Sequence, residues 1–167
     1  VLDTTNYRAG SIVGPVQITF ARSFDSILST EHSVTRVCQT TEDKQKEEKG
    51  NGTFGKKHTV AYGLYHSSIF FDPFRAKQTG FSNDDLDLLF KALVNMFEID
   101  RSAARGLMTT QKLFVFEHSC ALGNARDQKL FDLIQVEKLV ETPRSFSDYK
   151  VSVKNEIPKG VKLIEMD

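Results

Sequence analysis

TTEDKQKEEKGNGTFGKK, residues 40–57, is a polar stretch with mixed charges, three glycines and a single large apolar side chain, Phe54. It lies between two β-like segments, residues 33–39 and 59–71. A polar, glycine-containing stretch between two strands is typical of an exposed loop or a hairpin tip. Loops of this length are usually functional or disordered. We therefore predict a long, protruding excursion between two neighbouring strands.

A short strand is predicted upstream of this excursion. After the turn signal Gly14-Pro15, apolar and polar side chains alternate through residue 20, which is typical of a strand with one buried face. The apolar side chains that would share that face are Val16, Ile18 and Phe20. The same alternation would bury the cation of Arg22, which is unfavourable without a partner. We therefore expect the strand to end or bulge near Ala21 and Arg22 to emerge at an edge.

The clearest helix signal begins at Ser82. Ser82 is a favourable N-cap residue, Asp85 can complete a capping box, and Phe81 with Leu86 can form a hydrophobic staple. Apolar side chains then recur at helical spacing: Leu86, Leu89, Phe90, Leu93, Val94 and Phe97. The sequence thus predicts a helix over residues 82–98. Further short strands are predicted at residues 112–118, 130–139, 149–153 and 161–164.

Composition and charge indicate an ordinary globular chain. Lys plus Arg and Asp plus Glu number 22 each, and 40% of the residues are hydrophobic. We predict a single domain over residues 1–167, because a chain of this length can bury a real core without disulfides or metal ions. No apolar run approaches the roughly 18 residues of a membrane span, so no membrane partner is expected. The balanced charge argues against coating nucleic acid by bulk charge, but it allows a local basic groove.

Cysteine usage and the start of the chain favour a cytoplasmic protein. Cys38 and Cys120 lie far apart, and neither belongs to a C-x-x-C pair. Neither a disulfide framework nor a zinc site is therefore expected. The chain opens at Val1 without the basic and apolar regions of a signal peptide. A reducing cytoplasm is the expected location.

Residues 50–57 contain two nucleotide-binding patterns that we interpret as coincidental. Residues 50–55 match G-x-G-x-x-G and residues 50–56 match G-x-x-x-x-G-K. Lys57 stands where a phosphate-binding loop needs Ser or Thr, and a β-like segment follows where a helix should begin. The histidines and cysteines show no metal-ligand or nucleophile spacing. We expect no cofactor, no metal and no enzymatic activity.

A short stretch after the predicted helix is a candidate for binding phosphate. Arg101 and Arg105 lie four residues apart and can share a face, and Ser102 permits close approach. The alternative is that these cations offset the helix dipole and pair with Glu98 or Asp100. Spacing alone favours that alternative.

The end of the excursion is a second candidate. It carries an aromatic side chain beside cations, which suits an approach to a nucleic acid backbone with stacking. Its residues are Phe54, Lys56, Lys57 and His58. A solvated loop is the alternative. A later turn exposes Asn124 and Arg126, which either contact phosphates or only form the turn.

Seven segments together resemble one family. They are GPVQITFARS (14–23), EHSVTR (31–36), TFGKKHTVAYGLY (53–65), KQTGFSNDDL (77–86), NMFEIDRSAARG (95–106), LGNARDQKLFD (122–132) and RSFSDY (144–149). In order and at natural spacing, they resemble the CRISPR-associated backbone subunit of Cascade, the seventh Cas family, in its subtype I-C form. The resemblance runs from the first residues to the last.

The resemblance implies an α+β fold. Its parts would be a ferredoxin-like, RNA-recognition-like palm and an inserted β-hairpin thumb at about residues 33–58. It also implies that the helix from Asn83 packs on the palm sheet and that residues 112–118 form the final palm strand. The usual N-terminal strand and helix of the family have no match here. The palm is therefore expected to be incomplete at its N-terminus.

The resemblance also implies a function. Family members bind guide RNA, polymerise along it, present it to target DNA in antiviral defence and assemble with other Cascade subunits. The expected RNA-binding residues are Arg22, Ser23, Arg101, Ser102, Arg105, Asn124 and Arg126. The expected thumb residues, which would wedge between guide–target segments, are Phe54, Lys56, Lys57 and His58. The alternative is a protein–protein assembly module with no direct RNA contact.

Overall fold

A computed structural model of the chain describes residues 13–36 and 53–167. Within these residues, strands and helices follow one another in a mixed order, so the fold is α+β, as the resemblance implies. The strands are β1 (Val16–Ile18), β2 (Arg22–Ser23), β3 (Ser29–Arg36), β4 (Thr53–Val60), β5 (Tyr65–His66), β6 (Ile69–Phe71), β7 (Leu113–His118), β8 (Ile134–Lys138), β9 (Tyr149–Val153) and β10 (Val161–Met166). The helices are α1 (Pro73–Thr79), α2 (Asn83–Ile99) and α3 (Asp127–Phe131), and a 3-10 turn spans Phe146–Asp148.

The strands of the described residues pair two by two. The antiparallel pairs are β1 with β6, β2 with β5, β3 with β4 and β7 with β10, and β8 pairs with β9. The β7–β10 ladder runs from Leu113 opposite Met166 to His118 opposite Val161. It confirms the strands predicted from the sequence in these two regions. The palm and thumb implied by the resemblance stay a prediction, since these ladders do not join into one sheet within the described residues.

The described residues form two compact units. The larger unit comprises residues 13–21, 67–136 and 151–167. The smaller unit comprises residues 22–36, 53–66 and 137–150. No helix in the described part of the chain is long and apolar enough to cross a membrane.

Strand β1 is shorter and more exposed than the sequence predicts. The alternation does form a strand, but the side chains of Ile18 and Phe20 are 58% and 95% exposed. The prediction of a buried face was therefore wrong, because no element in the described part of the chain covers these side chains. The strand ends at Ile18, and Arg22 is exposed at the start of β2. The predicted emergence of Arg22 is thus confirmed.

Helix α2 begins where the sequence predicts. The Ser82 hydroxyl accepts a hydrogen bond from the Asp85 N–H at 3.2 Å, and the Asp85 carboxylate accepts one from the Ser82 N–H at 2.8 Å. The Ser82 N–H and the Ser82 hydroxyl both donate to the Asp85 carboxylate, and these two hydrogen bonds lower the pKa of Asp85. The predicted apolar face is half-buried along its length, at Leu86, Leu89, Phe90, Leu93, Val94 and Phe97. Local capping and an amphipathic pattern together account for this helix.

Helix α1 was not predicted, although its boundaries carry ordinary sequence signals. Asp72 is the N-cap, and its carboxylate accepts from the N–H groups of Phe74 and Arg75 at 2.9 and 3.2 Å. Pro73 occupies the first turn, and Gly80 ends the helix with φ of 77°. Pro at the start and Gly just past the end are the residues that these positions favour.

The larger unit has a small buried core. Its buried side chains include Ala76 on α1, and Leu130 and Leu133 at and just after α3. The aromatic rings of Phe70 and Phe131 pack edge to face, 5.8 Å apart between centroids. The strand predicted at residues 130–139 was therefore wrong at its start. Leu130 and Phe131 are helical because α3 turns their side chains towards this core.

The capping box provides a stability test of α2. Replacing Ser82 by Ala should lower the free energy of unfolding by about 1 kcal/mol, because the Asp85 N–H then lacks its side-chain acceptor. Urea denaturation followed by circular dichroism measures the change. Ser26→Ala is the control, since Ser26 is exposed and makes no side-chain hydrogen bond within the described residues. Equal stabilities of the two variants would contradict the proposed capping.

Candidate nucleic-acid interface

Strands β3 and β4 form an antiparallel hairpin that we call the arm, residues 29–36 and 53–60. Its ladder runs from Ser29 opposite Val60 to Arg36 opposite Thr53. Seven steps of roughly 3.3 Å make it about 23 Å long. The side chains described on both faces are exposed, apart from the half-buried Thr59. The arm therefore projects two solvated faces.

The arm corrects the predicted boundaries of the excursion. Residues 53–57 were predicted as part of an exposed loop or hairpin tip, yet they belong to a paired strand, β4, because their backbone groups pair with β3. Residues 40–52 of the predicted excursion lie outside the described residues. The paired strands begin at Ser29 and end at Val60, and the thumb implied at about residues 33–58 stays a prediction. The four predicted thumb residues therefore lie on a strand: Phe54, Lys56, Lys57 and His58.

One face of the arm carries an aromatic ring, a cation and a histidine. Phe54, Lys56 and His58 alternate along β4 and share this face. The Lys56 ammonium lies 2.7 Å from the Glu31 carboxylate, and His58 Nε2 lies 3.8 Å from the same carboxylate. Phe54 is 74% exposed. Glu31 thus offsets charge near the base of this face, whereas Phe54 lies nearer to the end bearing Arg36 and Thr53.

The opposite face carries Lys57. His32 lies directly across from Lys57, and its Nε2 makes a hydrogen bond with the Thr59 hydroxyl at 2.9 Å. Within the described residues, no carboxylate lies within ion-pair distance of Lys57. By sequence, the paired strands hold three cations, Arg36, Lys56 and Lys57, and one acidic residue, Glu31. The arm is therefore a basic element within an electrically neutral chain.

The strand conformation of β4 removes the nucleotide-loop interpretation of the glycine pattern. Gly55 lies opposite Val34 in the ladder, and no helix follows it. Phosphate-binding loops need a helix N-terminus directly after the glycines. Gly50 and Gly52 lie outside the described residues. Gly55 and the residues after it therefore provide the argument against a nucleotide-binding loop.

A second, shorter ladder lies at the base of the arm. Arg22 pairs with His66 and Ser23 pairs with Tyr65 in the β2–β5 ladder. The N–H of Phe24 donates to the carbonyl oxygen of Leu64 at 3.0 Å and extends this ladder by one step. Five residues connect β2 to β3, but four connect β4 to β5. The β2–β5 and β3–β4 ladders are therefore separate, with an unpaired segment on each strand between them.

A buried tyrosine anchors the segment between β2 and β3. The Tyr149 hydroxyl donates to the Asp25 carboxylate at 2.6 Å, and the Lys138 ammonium lies 3.5 Å from the same carboxylate. The ring of Tyr62 stacks on that of Tyr149, with centroids 6.4 Å apart. Burial, followed by the hydrogen bond to Asp25, raises the pKa of Tyr149. The anchor ties the segment that enters the arm to residues remote in sequence.

The two arginines after α2 already have carboxylate partners. Arg101 contacts Glu98 at 2.5 Å, and Arg105 makes two hydrogen bonds to Asp100, one of them 2.8 Å long. These bonds to Asp100 raise the pKa of Arg105. The structure therefore shows the pairing with Glu98 and Asp100 that the sequence offers as the alternative to phosphate binding. Ser102 is also engaged, since its hydroxyl accepts from the Arg105 N–H at 3.3 Å.

The turn after β7 shows a structural role for Asn124. Its carboxamide oxygen accepts from the Ser119 N–H at 2.9 Å, and its own N–H donates to His118 Nδ1 at 2.9 Å. Gly123 supports the turn with φ of 82°. Arg126 is exposed at the N-cap of α3. Of this pair, Arg126 presents its charge to solvent while Asn124 closes the turn.

The predicted phosphate-binding residues thus fall into separate groups. Arg22 and Ser23 belong to the smaller unit with the arm, and Arg101, Ser102, Arg105, Asn124 and Arg126 belong to the larger unit. Within the described ranges, no cluster of His, Cys, Asp and Glu could hold a metal ion. Sequence reasoning missed Asp25, Tyr149 and Phe24 at the base of the arm. Their contacts join distant residues, and no local pattern indicates them.

A comparison with protein families supplies an independent finding. The profile of the family described as CRISPR-associated protein Cas7 matches residues 1–154 of the chain. The matched range includes β1 to β9, and with them the arm, its base and all the candidate residues above. A comparison with curated proteins finds no match.

The anchor at the base of the arm can be tested by removing one oxygen atom. Tyr149→Phe should lower the free energy of unfolding by about 2 kcal/mol, because a hydrogen bond to a charged acceptor contributes roughly 1.5–3 kcal/mol. Tyr65→Phe is the matched control, since the Tyr65 ring is about half exposed. Urea denaturation near neutral pH compares the two variants. An equal effect of both would show that the Asp25 contact contributes nothing.

The same variant predicts a difference at high pH. An unfolded tyrosine ionises near pH 10, whereas the raised pKa keeps Tyr149 protonated in the folded state. The unfolded state then loses its proton first, so the stability of the wild type should fall as pH rises above about 10. Tyr149→Phe should lack this component. Urea titrations of both proteins at about pH 9 and pH 11 measure the effect. An equal change in the free energy of unfolding of the two proteins would contradict the prediction.

Proposed function

Since the chain belongs to the CRISPR-associated protein Cas7 family, we propose that it is a non-catalytic, guide-RNA-binding backbone subunit of a type I-C Cascade complex. Copies polymerise along the guide and present it for pairing with target DNA in antiviral defence. The partners are the guide RNA, target DNA through the guide, further copies of the chain and other Cascade subunits. Base pairing then reads the sequence, so the protein needs only to hold the guide backbone.

The family match over residues 1–154 carries this proposal. It spans the arm and the segments that flank it, so the relation concerns most of the chain rather than one short motif. The subtype rests on the resemblance of the seven sequence segments. Function follows from the site and not from the fold class alone. The arm supplies the site chemistry that the proposal needs.

The arm suits a nucleic acid backbone for two physical reasons. Lys56 and Lys57 project from opposite faces of β4, so the strand offers ammonium groups on both sides. Neutralising phosphates releases condensed counterions, which favours binding at low salt. Phe54 adds an exposed ring near the lysines, on which a base can stack. Cations and an aromatic ring on a thin element suit insertion between strands of nucleic acid.

The remaining candidates contribute unequally in this proposal. Arg22 and Ser23 lie at the base of the arm and extend its row of candidate RNA-binding residues. Arg126 offers an exposed cation on the larger unit. Arg101 and Arg105 can bind phosphate only by sharing or leaving their carboxylate partners, which lowers their net contribution.

An assembly module without RNA contact is the second candidate function. The observation that favours it is a set of large apolar side chains, more than four-fifths exposed, on the larger unit: Phe20, Ile99, Leu107 and Leu122. Exposed apolar groups of this size favour protein contacts when they cluster. Salt separates the two functions, because phosphate contacts weaken steeply with ionic strength and apolar contacts do not.

The arm lysines provide the direct test of RNA binding. The double variant Lys56→Ala/Lys57→Ala should bind single-stranded RNA about 20-fold more weakly at about 0.1 M salt, because each lost phosphate contact removes roughly 0.7 from the salt slope. Fluorescence anisotropy over a salt series measures both quantities. Lys57→Ala alone should account for the larger share, since Lys56 is already paired with Glu31.

The control for this experiment is a lysine elsewhere on the surface. Lys159 is exposed in the loop between β9 and β10, so Lys159→Ala makes the same chemical change at a residue that does not belong to the arm. It should leave affinity and slope near those of the wild type. An unchanged salt slope in the double variant would remove the arm from the RNA site. Salt-independent self-association without RNA binding would instead favour the assembly function.

The arginines after α2 should matter less than the arm lysines. Arg101→Ala/Arg105→Ala removes two cations but also frees Glu98 and Asp100, whose charge those cations now offset. We expect a change in the salt slope well below that of the lysine variant. The same anisotropy series measures it. An effect equal to or larger than that of the lysine variant would show that the arginines exchange carboxylates for phosphates.

A further inference from the structure

An exposed aromatic pair lies at the base of the arm, beside an arginine. The rings of Phe24 and His66 have centroids 4.7 Å apart and planes inclined by 39°. Phe24 is 42% exposed and His66 is exposed as well. Arg22 lies directly opposite His66 in the β2–β5 ladder. We call these three residues, Arg22, Phe24 and His66, the platform.

The three platform residues share one face of the ribbon. Residues directly opposite in an antiparallel ladder project to the same side, which places Arg22 with His66. Phe24 is two residues after Arg22, and its N–H continues the ladder to Leu64. Alternation along a strand therefore returns Phe24 to the face of Arg22. The contact between the Phe24 and His66 rings agrees with this placement.

The opposite face of the β2–β5 ladder carries a tyrosine that packs on its own chain. Tyr65 lies opposite Ser23, and its ring lies so close to Gly63 that a methyl group there would stand 2.7 Å from a ring carbon. Tyr65 therefore packs on its own chain, which accounts for its position. Phe24 and His66 contact each other but still present their rings to solvent. Packing between these two rings does not account for their exposure to solvent.

The backbone of the platform is held in place before any ligand arrives. Asp25 follows Phe24 directly and is bound by the buried Tyr149 and by Lys138. The Phe24 N–H is bonded to Leu64 on the other strand. Phe24 is thus held in place through its own backbone N–H and through the side chain of the next residue, Asp25. A ring that is ordered in advance loses less conformational entropy when it binds a ligand.

The chemistry of the platform matches one kind of ligand. Every nucleobase has a flat π-face that stacks on aromatic side chains, and a guanidinium beside the rings can bind the attached phosphate. We propose that Arg22, Phe24 and His66 form a stacking site for an unpaired RNA base together with its phosphate. This inference rests on the proposed function, and it adds a second stacking site, at the base of the arm, to the backbone binding and stacking proposed for the arm itself.

The test compares RNA with and without bases. The chain is titrated with a short oligouridine and with a matched oligomer of abasic ribose phosphates. Phe54→Leu, which lacks the stacking ring of the arm, serves as the background and should still bind oligouridine about tenfold more tightly, because stacking on one aromatic side chain strengthens binding by about this factor. In that background, Phe24→Leu keeps an apolar side chain but removes the ring, so it should abolish the preference and leave abasic binding unchanged. His66→Ala should reduce the preference in the same direction.

The control makes the same substitution on another exposed phenylalanine. Phe20→Leu should keep the full preference for bases, since Phe20 lies outside the platform. Thermal melts compare the folding of all three variants. In the Phe54→Leu background, a preference that survives in both Phe24→Leu and His66→Ala would overturn the platform while leaving the proposed function intact. Failure of the wild type to bind either oligomer would overturn the proposed function itself, and the platform with it.

Discussion

The arm depends on backbone hydrogen bonds, because its side chains bury almost nothing. Eight residues of β3 pair with eight of β4, and Thr59 is the one described side chain on the ladder that is even half-buried. A two-stranded hairpin without a hydrophobic face is only marginally stable by itself. The direction of the arm must therefore be set where it joins the rest of the smaller unit. Tyr149 and Asp25 make that connection, across 124 positions of sequence.

Charge in this chain is compensated locally, and this limits what its cations can do. Arg101, Arg105 and Lys56 each contact a carboxylate, and the whole chain carries 22 basic and 22 acidic groups. A neutral protein gains little from long-range attraction to an anionic partner. In the proposed function, one copy would bind RNA weakly, through a few cations at short range. Many copies on one strand add their contacts, and this multivalency strengthens the assembly beyond any single copy.

The sequence predicts those parts of the fold that local interactions determine. The start of α2 is visible in Ser82 and Asp85, because the capping box needs only residues three positions apart. The β7 strand is visible in its apolar run. The exposure of Ile18 and Phe20 is not visible, because alternation shows which side chains share a face but not whether another element covers it. Burial belongs to tertiary structure.

The candidate site is likewise predictable from the sequence only where local interactions determine it. The residue types of the arm, a ring beside cations, are evident from sequence, but their place on a strand depends on pairing with β3. For Arg101 and Arg105, spacing suggested either phosphate or carboxylate partners, and only the geometry shows the carboxylates. The Phe24–His66 contact joins two strands and leaves no pattern in either segment.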